Sequence, residues 1–421
     1  MMRISSSMSY TDMKAYLMRQ QREMQKNQFE LATGRKIEVP ADDPTGAPQA
    51  MRQRTRMHEV RQFIDNLEEG KSRLDQYDTT MGSMTEHIQR IRELAVAGAN
   101  GIWTDSDRYA MAVEVDEHLK ALVDLANTKD AAGRALFSGH DVDVNSFRVV
   151  WGKPENSDRE AIVEVNYNGD VGRVEREVER GEYVPVSIAG NQVFWATNES
   201  MISENFTGPN QDVTGGNDQW IKIDNKEIFI PAGTTLQGLA DIINSSNLGV
   251  EARLDNPLNQ PANTQFILDT TIPHELWLED IRGGTVFQSM GVIQQPEGGN
   301  TGGANSRRIG LSLFDAVINL RDNLWKSNIR DIGGQDLGNI DYAMRNLNMY
   351  RGEFGAKSNR LEETEKRLWI DERTSRERLA QTENIDFEES IMNMQALVTL
   401  HQTSLKVGAR IIQPTLLDFL R

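Results

Sequence analysis

A heptad repeat of apolar residues across positions 60–95 constrains the fold of this chain more than any other feature. With steps of three and four residues in alternation, the repeat is apolar at every position except Gly70. Its members are Val60, Phe63, Leu67, Gly70, Leu74, Tyr77, Met81, Met84, Ile88, Ile91 and Ala95. The repeat predicts a helix of ~54 Å with one narrow apolar stripe. Other helices must therefore cover this stripe along its whole length.

A second, weaker repeat precedes the first and predicts a thinner helix. Its seam is Tyr10, Met13, Leu17, Gln20, Met24, Asn27 and Leu31, so two amides interrupt the apolar positions. Short helices with little apolar surface are marginal in water. We therefore expect this helix, which should end at Gly34, to become ordered only against a partner.

The next signals are a rigid turn and a helix start. Asp42 and Asp43 lie in a Pro-Ala-Asp-Asp-Pro turn, and we predict that they cap the helix that continues past Pro48 into the long repeat. Thr104 and Asp107 match a capping box. The helix after them should return antiparallel on the long helix because the connection is short. Its seam is Ala112, Val115, Leu119, Leu122 and Ala126.

The middle of the chain changes to a period of two residues, which indicates strands. The predicted strands are 147–151, 161–167, 183–188, 193–195, 220–223, 228–230, 249–254, 265–268 and 276–278, with a short helix at 236–245. Residues 205–218 should form a linker or loop, and the glycine-rich residues 297–305 should form a flexible hinge.

Helical periodicity returns after this region. The predicted seams are Leu311, Phe314, Ile318 and Trp325, then Ile340, Met344, Leu347, Phe354, Leu361 and Leu368, and last Phe387, Ile391, Met394, Val398, His401, Leu405, Gly408 and Ile412. Neither half of the chain can bury its seams alone, so helices from both ends must pair. The predicted fold is mainly α, a nested long-helix bundle from both termini that carries an inserted β-rich region.

Composition and motifs exclude several functions. The chain has 46 Lys and Arg against 63 Asp and Glu, for a formal net charge of -17, which argues against nucleic acid or an anionic membrane as the main partner. Cysteine is absent, and the six histidines are scattered without metal-ligand spacing. We find no nucleotide loop, nucleophile elbow or carboxylate pair, so we expect no enzyme, cofactor or metal. Residues 1–7 lack the apolar core of a cleaved signal peptide, and no apolar run suggests membrane insertion.

Several short motifs resemble the flagellin superfamily of bacterial flagellar proteins. They are Arg3-Ile4-Ser5, Leu31-Ala32-Thr33-Gly34, Pro40-Ala41-Asp42-Asp43-Pro44, Gln89-Arg90-Ile91-Arg92-Glu93-Leu94-Ala95, Asn100-Gly101 and Leu125-Ala126-Asn127-Thr128. Leu136-Phe137-Ser138-Gly139 and the ending from Pro414 to Leu420 resemble the hook-associated proteins of L type. Residues 220–244 look like the strand-hairpin-helix insertion of the superfamily. Gly98 and Pro48 depart from its usual pattern.

The resemblance implies a structural role in cell motility, as a junction protein between the flagellar hook and filament. Such a protein would be secreted by type III export, without a cleaved signal peptide, to an extracellular or periplasmic flagellum. Its partners would be a K-type hook-associated protein, flagellin and an export chaperone, and it would self-assemble into a ring through coiled-coil terminal helices.

We therefore predict three regions: 1–45 with 380–421 as a terminal coiled coil disordered in the monomer, 46–145 with 305–379 as a long-helix bundle, and 146–304 as the β-rich insertion. The predicted subunit contacts are Arg3, Ile4, Tyr10, Leu17, Met24, Leu31, Arg90, Arg92, Glu93, Ile391, Met394, Val398, Leu405, Ile412, Leu416, Leu417 and Phe419.

Two alternatives remain at this point. The chain could be a filament flagellin, which the ending Leu417-Asp418-Phe419-Leu420 disfavours. The β-rich insertion could instead bind glycans, as in an adhesin, through aromatic side chains. The candidates are Trp151, Tyr167, Trp195, Trp220 and Trp277.

Overall fold

A computed structural model describes residues 6–154, 159–203, 208–256, 264–295 and 306–412. The chain forms two compact units, one of residues 1–65 with 365–421 and one of residues 66–364. The helices are α1 (Ser6–Thr33), α2 (Gly46–Gly98), α3 (Asp105–Ala126), α4 (Gly190–Val193), α5 (Leu236–Ser245), α6 (Val286–Ser289), α7 (Leu313–Trp325), α8 (Ile329–Asp331), α9 (Leu337–Glu383) and α10 (Phe387–Ile412). A π-helical segment, Ile332–Asp336, leads directly into α9.

The long repeat lies on α2, and all its members from Val60 to Ala95 are buried, as predicted. Arg90 forms an ion pair with Glu114, and His87 contacts His118. The order of these two contacts shows that α3 runs antiparallel to α2. The seam of α3 is fully buried, and Thr104 and Asp107 form the predicted capping box. Both the helical hairpin and its start signal are therefore confirmed.

Ion pairs also join α2 to α9 in each unit. In the unit of residues 66–364, Asp78 pairs with Arg351 at 3.1 Å and Arg92 with Asp341 at 2.6 Å. The order of these pairs shows that the two helices run antiparallel.

In the unit of residues 1–65 and 365–421, the arginines at the start of α2 have partners on α9. Arg56 pairs with Asp371 at 2.6 Å, and Arg61 with Glu372 at 3.1 Å. These two arginines of α2 therefore form contacts within the chain.

The start of α2 depends on one of the two predicted aspartates. Asp43 Oδ1 accepts hydrogen bonds from the backbone N–H groups of Thr45 and Gly46, and these bonds lower the pKa of Asp43. Asp42 instead accepts from the N–H groups of Glu38 and Val39 in the preceding loop. Only Asp43 caps the helix, so the prediction was wrong for Asp42.

The other end of α2 explains the unusual Gly98. A Cβ atom at this position would lie 2.4 Å from Leu324 Cδ2 of α7, so a larger residue would force the Leu324 side chain or α7 to shift. Pro48 is tolerated because it lies in the first turn of α2, where backbone N–H groups have no partner within the helix.

The strands are β1 (Phe147–Gly152), β2 (Ala161–Tyr167), β3 (Glu175–Glu179), β4 (Glu182–Pro185), β5 (Ser200–Ile202), β6 (Gln219–Ile223), β7 (Lys226–Ile230), β8 (Val250–Asp255), β9 (Gln265–Thr270), β10 (Leu278–Ile281) and β11 (Arg307–Ile309). All named pairings are antiparallel. They form two hairpins, β1-β2 and β3-β4, a three-stranded sheet of order β10-β6-β7 and a four-stranded sheet of order β11-β5-β9-β8.

Several details of the β region differ from the prediction. Residues 193–195 are not a strand: α4 ends at Val193, and Phe194 points into an aromatic core with Phe137, 4.9 Å between ring centroids. The strand expected at 276 begins at Leu278, because the Leu276 N–H donates to the buried Glu199 carboxylate. The strand expected to reach residue 188 ends at Pro185.

The part of the insertion between β5 and residue 293 has its own hydrophobic core. Side chains from both larger sheets and from α5 and α6 fill it, among them Ile221, Leu239, Phe266, Leu278 and Phe287, all fully buried. Of the predicted linker, residues 208–218 form turns closed by an isolated bridge between Asp212 and Thr235. The predicted hinge at 297–305 lies outside the described residues.

Candidate assembly surfaces

Helices α1 and α10 pack against each other as an antiparallel pair in the unit of residues 1–65 and 365–421. Gln20 Nε2 donates to Ser404 Oγ at 3.2 Å. At the other end of the pair, the backbone N–H of Lys36 donates to the Glu383 carbonyl and that of Ile385 to the Gly34 carbonyl. Gly34 has a φ of 73°, a conformation that glycine adopts at little cost where a helix ends.

Few apolar side chains are buried between α1 and α10. On α1, the predicted seam faces the pair, but Gln20 and Asn27 are its buried members, whereas Leu17, Met24 and Leu31 are half-buried. The Oε1 atom of Gln20 and the Oδ1 atom of Asn27 have no hydrogen-bond partner among the described residues. The interior of this pair is therefore polar and incompletely satisfied.

The predicted seam of α10 needs a correction. Between residues 387 and 409 of this helix, Ser390, Ser404 and Gly408 are the buried residues, and Phe387, Ile391 and Leu405 are exposed. Small residues allow close approach: a Cβ at Gly408 would lie 2.8 Å from Met13 Cε. The contact face is therefore rotated away from most of the apolar residues that periodicity alone selects.

As a result, large apolar side chains lie on the outside of the pair. Each of them is between 44% and 63% exposed. They are Tyr16, Met18 and Phe29 on α1 and Ile391, Met392, Leu400, Leu405 and Val407 on α10, and we call them the outer apolar surface. Of this set, only Ile391 and Leu405 were predicted as subunit contacts. The seven-residue spacing of Leu400 and Val407 is the signal that could have added those two.

The structure places the remaining terminal candidates as follows. Met394 and Val398 are half-buried on α10, and Tyr10 and Ile412 lie within α1 and α10. Arg3, Ile4, Leu416, Leu417 and Phe419 lie outside the described residues.

The three charged candidates on α2 have partners within the chain. Arg90 contacts Glu114 at 2.7 Å and Glu93 at 3.0 Å, and Arg92 contacts Asp341 at 2.6 Å. Hydrogen bonds to these carboxylates raise the pKa of both arginines. All three side chains are still more than 40% exposed, so they can contact a neighbour only as parts of ion pairs.

A groove of about 900 Å³ lies in the unit of residues 66–364. Among its charged side chains, Lys222 pairs with Glu279 and Lys357 with Glu353. In the same groove, His274 donates from Nδ1 to the Ile272 carbonyl and from Nε2 to Asp224. Burial favours the neutral ring, but these bonds and the Asp224 charge outweigh it and raise the pKa of His274.

Candidate metal ligands do not cluster in the part of the chain that the structure describes. No group of three or more His, Cys, Asp or Glu side chains there could hold a metal ion. Of the five aromatic candidates for glycan binding, Tyr167 and Trp195 are buried, and no described ring contact joins any two of the five. Within the described residues, no helix has the length and apolar character needed to cross a membrane.

Comparison with protein-family models finds three matches. Residues 4–141 match the bacterial flagellin N-terminal helical region, and residues 337–420 match the bacterial flagellin C-terminal helical region. Residues 211–261 match the flagellin hook IN motif, which covers β6, β7, α5 and β8. These matches confirm the resemblance at both ends and in the predicted strand-hairpin-helix insertion.

Individual relatives carry related names. The chain is 24% identical over 203 residues to the flagellar hook-associated protein 3 of Escherichia coli K12, a match that covers 48% of this chain and 60% of that protein. It is 23% identical over 250 residues to the same protein of Salmonella typhimurium, covering 59% and 70%. A solved structure of hook-associated protein 3 from Legionella pneumophila aligns with 18% identity and a TM-score of 0.46, over 78% of this chain and 97% of that one.

The two matched terminal regions, the hook motif and the named relatives together indicate the family of this chain. The matched segment spans less than two thirds of the Escherichia coli protein. The two flagellin regions nevertheless enclose the insertion in the order that the nested architecture requires. The chain therefore belongs to the flagellin superfamily of bacterial flagellar structural proteins, and within it is of the hook-associated L type.

Proposed function

We propose that this chain is the structural junction between the hook and the filament of a bacterial flagellum and that it assembles there as a ring through its terminal helices. The relatives named hook-associated protein 3 support the position in the organelle. The proposed partners are a K-type hook-associated protein on one side and flagellin on the other, with an export chaperone before assembly. The proposed route is type III export without a cleaved signal peptide, to an external or periplasmic flagellum.

One observation supports assembly most strongly: the pair of α1 and α10 has its apolar residues outside and its polar residues inside. The outer apolar surface carries side chains such as Ile391 and Leu405 in water, whereas Asn27 and Ser404 are buried. Exposed apolar surface of this extent is typical of interfaces. Burying it against the same helices of neighbouring copies would stabilise both the helices and the ring.

The proposal also gives each of the three regions a separate structural role. Residues 1–45 with 380–421 would form the inner coiled coil, 46–145 with 305–379 the surrounding helix bundle, and 146–304 the outer insertion. The terminal candidates, including Arg3, Ile4 and Phe419, would contact neighbouring copies in the inner layer. Arg90, Arg92 and Glu93 would contact them in the bundle layer through their ion pairs.

Charge substitutions on the outer apolar surface test the proposal. We expect Ile391→Glu and Leu405→Glu to prevent incorporation of the purified chain between a K-type partner and flagellin. Asn393→Glu and Gln402→Glu introduce the same charge at exposed polar positions of α10 and serve as matched controls. Incorporation is measured by co-sedimentation and by electron microscopy of hook ends, and circular dichroism checks the helical content of each variant.

Three outcomes would contradict the proposal. Normal incorporation of both apolar variants would remove the outer apolar surface from assembly. Failure of the controls would show that added charge alone blocks assembly. Growth of long filaments from the purified chain, without a partner, would identify a filament flagellin instead of a junction protein.

A further inference from the structure

The outer apolar surface of α1 and α10 contains two methionines whose side chains are open to solvent. Met18 on α1 is 50% exposed, and Met392 on α10 is 63% exposed. The chain has 17 methionines and no cysteine, so methionine is its only source of sulfur. Because no thiol competes for an oxidant, the exposed thioethers are the accessible oxidisable sulfur atoms of the described residues.

Other methionines of the chain are shielded from solvent. Met81 and Met84 in the α2 seam are fully buried, and Met201 and Met290 in the insertion are 1% exposed. An oxidant dissolved in water must reach the sulfur atom in order to react with it. Oxidation should therefore modify the outer apolar surface while the seam of α2 and the core of the insertion remain unmodified.

The reaction at each exposed sulfur is the transfer of one oxygen atom from a two-electron oxidant such as hydrogen peroxide. A lone pair of the sulfur forms the new sulfur–oxygen bond as the oxygen–oxygen bond of the peroxide breaks. The sulfur is oxidised by two electrons to the sulfoxide, and the peroxide is reduced to water. Methionine sulfoxide reductases reverse this step with electrons from a dithiol.

The sulfoxide changes the chemistry of a surface that assembly would bury. Its oxygen is a strong hydrogen-bond acceptor, whereas the thioether is apolar and accepts hydrogen bonds only weakly. Around Met392, the neighbouring exposed side chain Ile391 is apolar and offers no donor. Burying a polar group without a hydrogen-bond partner is unfavourable.

We propose that Met18 and Met392 are sites of reversible oxidation and that their sulfoxides block assembly through the outer apolar surface. This inference rests on the proposed function, since it assigns a chemical control to the same surface. It identifies the reactant as a two-electron oxidant and the product as a pair of methionine sulfoxides on α1 and α10.

Incorporation after controlled oxidation tests the proposal. The full chain is treated with hydrogen peroxide, catalase removes the remaining peroxide, and an unoxidised K-type partner and flagellin are added afterwards. Peptide mass spectrometry should show that Met18 and Met392 gain oxygen well before Met84. Incorporation measured by co-sedimentation should fall about tenfold or more. Treatment with methionine sulfoxide reductases and dithiothreitol should restore it.

Two double variants separate these methionines from the other exposed ones. Met18→Leu combined with Met392→Leu keeps the apolar volume and removes both reactive sulfur atoms. Met51→Leu combined with Met349→Leu is the matched control, because these two methionines are 61% and 49% exposed but lie outside the outer apolar surface. Each variant is compared with its own untreated sample. Peroxide should cause little loss of incorporation in the first variant and the full loss in the control.

The outcomes distinguish this inference from the proposed function. Complete conversion of Met18 and Met392 to sulfoxide with unchanged incorporation would overturn the inference and leave the proposed function intact. Equal losses in the two double variants would also overturn it. Failure of the chain to incorporate before any oxidation would contradict the proposed function, and this inference with it.

Discussion

The two helix pairs formed by α2-α3 and α1-α10 share an antiparallel arrangement but differ in what they bury. In α2-α3, the heptad positions are apolar and fully buried, such as Ile88 and Leu119. In α1-α10, the buried positions are amides, serines and glycine, and large apolar residues remain outside. The first pair can be stable within one chain, whereas the second has its main source of apolar stabilisation still exposed.

This difference supports the proposed function, in which the α2-α3 pair is a stable scaffold and the α1-α10 pair gains stability on assembly. A polar residue in a heptad seam lowers stability but specifies register. Gln20 and Ser404 form such a contact in α1-α10. The pair therefore has a defined register before assembly and little stability of its own, and the following substitutions probe that contrast.

The same substitution, methionine to alanine, in each of the two helix pairs should give the largest difference in the free energy of unfolding. Met84 is fully buried in the α2 seam, and Met24 is half-buried in the α1 seam. Met84→Ala should lower the free energy of unfolding by about 2 to 5 kcal/mol, and Met24→Ala by less than about 1 kcal/mol. Denaturant unfolding measured by tryptophan fluorescence and circular dichroism compares them. Equal losses would mean that both seams contribute equally.

Two glycine substitutions test the close packing at the end of α2. Gly98→Ala would place a Cβ against Leu324 and should cost about 1 to 3 kcal/mol of stability. Gly355→Ala, at a position of α9 with no heavy atom within 4 Å, should stabilise the chain by about 0.5 to 1 kcal/mol. A neutral or stabilising Gly98→Ala would show that α7 does not need this approach.

Removal of a buried amide should strengthen the terminal pair. Asn27→Leu replaces a side chain whose Oδ1 has no described hydrogen-bond partner and should slow hydrogen exchange in α1 and α10, by an amount corresponding to about 1 kcal/mol. Gln28→Leu, at the exposed neighbouring position, is the control and should have little effect. Faster exchange in Asn27→Leu would show that the amide stabilises the pair.

A pH effect should be confined to the unit of residues 66–364. Because the pKa of His274 is raised in the folded state, its stabilising charge is fully present below pH 6.5 and is lost as the pH rises through the folded-state value. The contribution of His274 to thermal stability should therefore fall slightly from pH 6 to pH 8. His274→Gln should remove this contribution. An unchanged pH profile in the variant would contradict the role of Asp224 in charging the ring.

The long helices could be predicted because the apolar repeat that stabilises each of them lies within one continuous segment of the sequence. For this reason every predicted seam residue of α2 and α3 is buried, and so is every predicted seam residue of α9 except Met344, which is half-buried. The contact face of α10 was not, because Ser390, Ser404 and Gly408 are buried by close approach to α1, which apolar periodicity does not encode. Strand β3 was missed because its sequence, Glu-Arg-Glu-Val-Glu, carries charges at most positions.

The assembly surface was predictable only in part for the same physical reason. Ile391 and Leu405 were predicted as subunit contacts from the apolar spacing of α10, and both are exposed, but the other six residues of the outer apolar surface were not selected. The partners of Arg90 and Arg92 depend on the rotation of α2 against α3 and α9, and pairing between distant helices leaves no local signal in the sequence.

Hydrogen exchange of the free monomer tests the central contrast most directly. The free energy of the opening that allows amide exchange should be far lower in α1 and α10 than in residues 66–95 of α2. Exchange is measured by mass spectrometry on the full chain at a concentration where it is monomeric. Low protection in α1 and α10 with high protection in α2 is the predicted result. Equal protection in the two pairs would contradict the account.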